Sequence, residues 1–167
     1  WSAFALKWHT PFMAFTKLLE SKAALKSYLS NESNIDAASL PYDKNVIEYI
    51  QSHRAKGGSV ALVTATHQLI ADKIADHLKI FDEVHGSHDD NNLKGLAKAN
   101  FLAERFGEGN FCYMGDTASD LPIWKVSGKV VTVNAKESLC RQADAFGKPI
   151  EHLKTFTRSW HPYLQAL

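Results

Sequence analysis

Two hydrophobic rhythms divide this chain. Up to residue 32, apolar side chains at Phe12, Phe15, Leu18, Leu19, Leu25, Tyr28 and Leu29 recur at an approximately helical spacing. Residues 1–32 therefore read as helix, broken at Pro11. Residues 30–43 turn polar, through Ser-Asn-Glu-Ser-Asn and Leu-Pro-Tyr-Asp, and mark a seam. Beyond it, short apolar runs alternate with longer amphipathic stretches. The pattern predicts a helix over 45–55, capped by Asp43 and stopped by Gly57-Gly58. A β-branched strand over 59–63 comes next, with Thr64 at its end. A helix over 67–78 carries Ile70, Ile74 and Leu78 on one face. The series continues with a short strand at 81–85, a helix over 93–106 closed by Gly107, and a strand at 111–114. It ends with a short helix at 119–126, a strand at 129–133 and a helix over 136–145.

Short apolar strands alternating with helices imply an α/β fold, a Rossmann-like parallel sheet flanked by helices. The organisation expected is a small helical cap at 1–40, an α/β core at 41–152, and a tail or linker at 153–167. In such sheets the functional loops lie beyond the carboxyl ends of the strands.

Composition removes several function classes. At 167 residues, 45% of them hydrophobic, the chain has enough apolar material for one core. A net charge of +1, with no dense Lys/Arg block, gives no electrostatic case for nucleic acid. No stretch approaches the ~20 apolar residues that span a bilayer. Cys112 and Cys140 fit no metal-ligand spacing and point to a reducing, cytoplasmic setting.

The richest segment is Met114-Gly115-Asp116-Thr117-Ala118-Ser119-Asp120. Its two carboxylates, four residues apart on a Gly-led turn after a buried strand, can hold a hard cation through oxygen ligands. They can equally serve a helix N-terminus, with Asp116 or Thr117 as cap and Asp120 favoured by the dipole. Thr64, at the end of its strand, can meet an anion or cap a helix. Lys98 can neutralise a phosphate or a carboxylate nucleophile, or simply be solvated. His85, His88, Asp89 and Asp90 form a loop cluster whose spacing suits solvent better than a metal.

Taken in order, Val60-Ala61-Leu62-Val63-Thr64-Ala65-Thr66, Lys98-Ala99-Asn100-Phe101-Leu102 and Gly115-Asp116-Thr117-Ala118-Ser119-Asp120 resemble motifs two, three and four of the haloacid dehalogenase-like phosphohydrolases. The resemblance covers about residues 43–145. It implies that Thr64 binds the transferred phosphoryl group and Lys98 steadies charge around the nucleophile, with Lys94 a competing lysine. It implies that Asp116 and Asp120 hold Mg²⁺. The substrate would be a small phosphomonoester, hydrolysed through an aspartyl phosphate.

One element of that pattern is missing. The family's nucleophile is the first Asp of a DxDx(T/V) motif on the first, central strand, and no such motif occurs here. The expectation is a chain without its nucleophile and central strand, truncated upstream and inactive as it stands. The alternative is a non-catalytic HAD-like regulatory or scaffolding domain.

A second resemblance rests on Leu40-Pro41-Tyr42, Phe81-Asp82-Glu83-Val84, Asn92-Leu93-Lys94-Gly95 and Arg105-Phe106-Gly107. These are similar to the HAD domain fused ahead of UbiA-type polyprenyl transferases. The tail Arg158-Ser159-Trp160-His161-Pro162-Tyr163 is similar to the basic-aromatic stretch leading into their first membrane helix. This implies a fusion partner in the membrane, a location at its cytoplasmic face, and a polyprenyl or sugar phosphate as substrate.

Overall fold

The computed structural model describes residues 12–14, 36–88 and 92–155. Six parallel strands form one sheet: β1 (Phe12–Ala14), β2 (Val60–His67), β3 (Glu83–Ser87), β4 (Cys112–Gly115), β5 (Lys129–Val133) and β6 (Ile150–Leu153). Their spatial order is β3-β2-β1-β4-β5-β6. The helices are α1 (Lys44–Ala55), α2 (Gln68–Leu78), α3 (Gly95–Phe106), α4 (Leu121–Val126) and α5 (Glu137–Asp144).

The central strand corrects the sequence reading twice. Helical spacing predicts helix through residue 12, yet Phe12–Ala14 is extended. The missing motif predicts a sheet without its middle strand, yet these three residues fill that place, pairing with β2 on one side and β4 on the other. An empty slot there would leave buried backbone groups of two strands unpaired. That demand outweighs local periodicity over three residues. The remainder of the expected helical cap, residues 15–35, lies outside the described residues.

Strand faces alternate as a two-residue repeat requires. Val60, Leu62, Cys112, Met114, Val131 and Val133 face Val46 and Ile50 of α1 and Ala71 and Ile74 of α2. Ala61, Val63, Tyr113 and Val130 face Ala99 and Leu102 of α3, Ile123 and Trp124 of α4, and Leu139 and Ala143 of α5. With both faces covered, β4 is buried throughout, in keeping with its unbroken apolar run.

Two further differences matter. β2 does not stop at Val63; it runs on to His67, which pairs with Ser87 of β3 after a register shift. β6 escapes the sequence pattern because Ile150-Glu151-His152-Leu153 mixes polar with apolar positions. It is an edge strand, and its polar side chains are tied down. Tyr49 of α1 donates to Glu151 at 2.6 Å, and His152 bridges Thr132 and Asp144 at 2.7 and 3.1 Å. Leu153 and Thr155, expected in the tail, belong to the core. Leu153 packs on the α1–α2 side and Thr155 is buried. Residues 156–167 lie outside the described residues.

Candidate active site

The sheet brings the sequence motifs to one edge. Met13 of β1 pairs with both Ala61 and Tyr113. Thr64 and Asp116 each follow three residues later, toward the carboxyl-terminal ends of the two strands that flank the central one.

Thr64 does not end its strand as expected. It is 1% exposed. Its hydroxyl oxygen accepts from the Thr66 amide at 2.7 Å, which turns the backbone where the β2–β3 register shifts. The Thr64 carbonyl accepts from Ser87 Oγ at 3.5 Å, and that Oγ accepts from the Leu93 amide at 3.0 Å. Ser87 thus ties the entry to α3 to the edge of β2. The hydroxyl hydrogen of Thr64 remains a donor for an anion.

The two lysines have different surroundings. Lys94 precedes α3 and is exposed, with no side-chain capping bond. Lys98, one turn into α3, is 3% exposed and points under the sheet edge. Its Nζ donates to the Val63 carbonyl at 3.2 Å and lies 6.0 Å from the Tyr113 ring centre. Burial pulls its pKa down to about 8, with Asp120 acting in the opposite sense.

The GDxxxD segment forms a helix N-terminus, one of the two roles its sequence allows. Thr117 and Asp120 form a reciprocal capping box around the 3₁₀ turn Ala118–Asp120 that leads into α4. Asp120 is 3% exposed. Its Oδ2 accepts from the amides of Asp116 and Thr117 and from Thr117 Oγ1, at 3.0, 2.9 and 3.0 Å. Its Oδ1 accepts from the Tyr113 hydroxyl at 3.1 Å. Gly115 makes this fold-back possible, because a Cβ there would lie 2.7 Å from Asp120 Cγ and Oδ2. Asp116 sits at the mouth of the loop, partly exposed.

These residues fit Mg²⁺ in a sparse mode. Mg²⁺ is commonly held by one or two carboxylates, with water and substrate oxygens completing the octahedron. Asp116 can offer its carboxylate. Oδ2 of Asp120 is filled by three donors, so Oδ1 is the oxygen with room for a further partner. No group of three or more His, Cys, Asp or Glu suited to a metal occurs among the described residues. The loop histidines separate. His85 pairs with Glu83 at 2.9 Å and packs on Phe101, whereas His88 is exposed and meets the His67 ring edge-on. Asp89 and Asp90 lie outside the described residues.

Sequence reasoning missed Tyr113 and Ser87. Tyr113 sits in an apolar run whose pattern marks core only, and no local signal shows its hydroxyl facing Asp120.

A model of the haloacid dehalogenase-like hydrolases matches residues 11–125, well over half of the chain. The chain belongs to the haloacid dehalogenase-like hydrolases. A relative in Sinorhizobium fredii, the uncharacterised protein y4nM, is 40% identical over 114 residues. That match takes in 68% of this chain but 22% of the relative, so the chain spans about a fifth of that protein's length. Solved structures share the HAD fold. An apo phosphoserine phosphatase superposes with a TM-score of 0.58 at 18% identity, covering 86% of this chain and 91% of its own. A substrate-bound phosphoserine phosphatase gives 0.51 at 23%, covering 65% and 59%. The 3-deoxy-D-manno-octulosonate 8-phosphate phosphatase of Moraxella catarrhalis, solved with magnesium, phosphate and its sugar acid, gives 0.53 at 19%, covering 87% and 78%.

Proposed function

We propose that this HAD domain is the core of a Mg²⁺-dependent phosphatase acting on a small phosphomonoester. The observation that carries the reading is the shared sheet edge. Thr64 on β2, Lys98 beneath it, and the Asp116–Asp120 loop after β4 flank the end of the central strand. A phosphoryl group held there would take a hydrogen bond from Thr64 Oγ1. Lys98 would offset charge from the buried side, and Asp116, with Asp120 Oδ1 behind it, would hold the cation. Bound Mg²⁺ would offset the repulsion between a carboxylate nucleophile and the phosphoryl oxygens. The solved phosphatases of this fold, one of them with magnesium and phosphate, support the class of chemistry.

The nucleophile is the part this sequence does not supply. No DxDx(T/V) motif is present, and the described central strand is Phe-Met-Ala. The aspartyl phosphate therefore requires a carboxylate from a longer polypeptide. The length of the y4nM relative is in keeping with a multidomain protein. The resemblance to domains fused to UbiA-type transferases supports a membrane partner, a cytoplasmic-face location and a polyprenyl or sugar phosphate as substrate. In that organisation the cap lies within residues 1–40 and the tail begins at 156.

The test is turnover of p-nitrophenyl phosphate with Mg²⁺. This 167-residue chain is expected to show none. A version extended upstream by a strand bearing DxDxT, which would have to take the central place now held by Phe12–Ala14, is expected to gain activity, and to lose it again when the first Asp becomes Asn. Robust turnover by the unextended chain would overturn the aspartyl mechanism. An extended chain that stays inert while keeping its fold would favour the scaffolding alternative.

A further inference from the structure

A buried side chain bonds the acidic half of this edge and lies near the basic half. Tyr113 is fully buried in β4, two residues before Gly115. Its hydroxyl donates to Asp120 Oδ1 at 3.1 Å, and its ring lies 6.0 Å from Lys98 Nζ. We propose that Tyr113 is a positioning residue for the cation loop, orienting through its hydroxyl the one oxygen of Asp120 that can still reach a metal. The inference rests on the phosphatase reading given above.

A carboxylate oxygen has about two acceptor sites in its plane. Oδ2 of Asp120 already accepts from three donors, all of them in the loop at 116–117. Oδ1 accepts from Tyr113, so a single direction remains on it, and the phenol sets which one. Packing alone does not require that hydroxyl, since a phenylalanine would fill the same space between β4 and the helices beneath it. Burying a hydroxyl costs free energy unless it finds a partner. Here its partner is the buried acid of the candidate metal loop. Outer hydrogen bonds of this kind fix the orientation of ligating carboxylates and commonly change metal affinity about 10–100-fold. The ring adds a second link. Lys98, held by the Val63 carbonyl, lies at the outer limit of cation–π contact with it.

The test is Mg²⁺ binding by calorimetry on the 167-residue chain, in the original sequence, in Asp116→Asn and in Tyr113→Phe. The expected result is measurable binding in the original, loss in Asp116→Asn, and affinity lowered about 10–100-fold in Tyr113→Phe. A purely structural hydroxyl would change the thermal midpoint and leave Mg²⁺ affinity alone. If Asp116→Asn loses the metal and Tyr113→Phe binds as the original does, the inference falls and the phosphatase reading stands. If the original does not bind, or Asp116→Asn binds unchanged, the metal reading itself falls, and the inference with it. A measurement without substitution covers a variant that fails to fold. The buried Tyr113 hydroxyl proton should be visible by NMR and should shift as Mg²⁺ is added. A proton that stays in place through a titration in which the metal binds would overturn the proposal.

Discussion

A buried ammonium is costly to hold, and for Lys98 that cost depends on pH. Its pKa is lowered to about 8 by burial, so between about pH 8 and the ordinary lysine range near 10.5 the folded chain holds one proton fewer at this position than the unfolded chain. Stability contributed by Lys98 must therefore rise with pH across that window. Below about pH 8 the cost of burying the charge is fully present. Lys98→Met should flatten that rise when thermal midpoints are compared from about pH 7.5 to 10.5; an unchanged slope would mean that Lys98 is not buried as a cation. Anion binding should run the other way, with inorganic phosphate held more weakly above about pH 8. The sequence showed Thr64, Lys98, Asp116 and Asp120 because each lies at a recognisable place in an ordered set. It hid Tyr113 because burial and hydrogen-bond direction are tertiary facts, and a tyrosine in an apolar run reads as core.

At the scale of elements, boundaries near capping residues were the most legible. Asp43 caps α1 as expected, accepting from the amides of Asn45 and Val46 at 3.1 and 3.4 Å. Gly107 ends α3 with a φ of 85°, a conformation that side chains resist. What the sequence did not show were the elements fixed by partners: β1, held by two neighbours, and β6, whose polar residues are satisfied across the sheet. The same holds for a clasp between elements. Thr155 Oγ1 donates to Asp43 Oδ2 at 2.5 Å. It also accepts from Asn134 Nδ2 at 2.6 Å, while the Thr155 amide donates to Asn134 Oδ1 at 2.8 Å. Asp43→Ala removes the cap and this partner together and should cost at least the ~1–2 kcal/mol of a cap alone. Thr155→Val keeps the cap and should cost less; urea titrations of both variants check the order. Equal losses would show that the clasp, and not the cap, carries the stability.

The molecule as a whole is a HAD core whose fold class could be read from the alternation of its segments, and whose last residues could not. Trimming at two points separates core from tail. Ending the chain after Ile150 removes most of β6 and Thr155 and should lower the thermal midpoint by many degrees. Ending it after Thr155 keeps the clasp, and should leave the midpoint nearly unchanged while reducing binding to anionic liposomes, since Lys154 alone would remain of the basic-aromatic run. Unchanged liposome binding would remove the membrane-surface reading of the tail. No helix among the described residues is long and apolar enough to cross a membrane.

The clasp also has a consequence for synthesis. Asp43 and Thr155 are 112 positions apart, and Tyr49 and Glu151 are 102 apart. A chain emerging from the ribosome shows α1 early and receives both of its far partners only when residues 151–155 follow. Until then β5 presents a bare parallel edge, the kind of surface on which foreign strands settle. Completion of this domain is therefore timed by its final few residues. A pause in translation when β5 but not β6 has left the exit tunnel should prolong the interval in which the nascent chain is prone to aggregate, whereas a pause after residue 155 has left the exit tunnel should not.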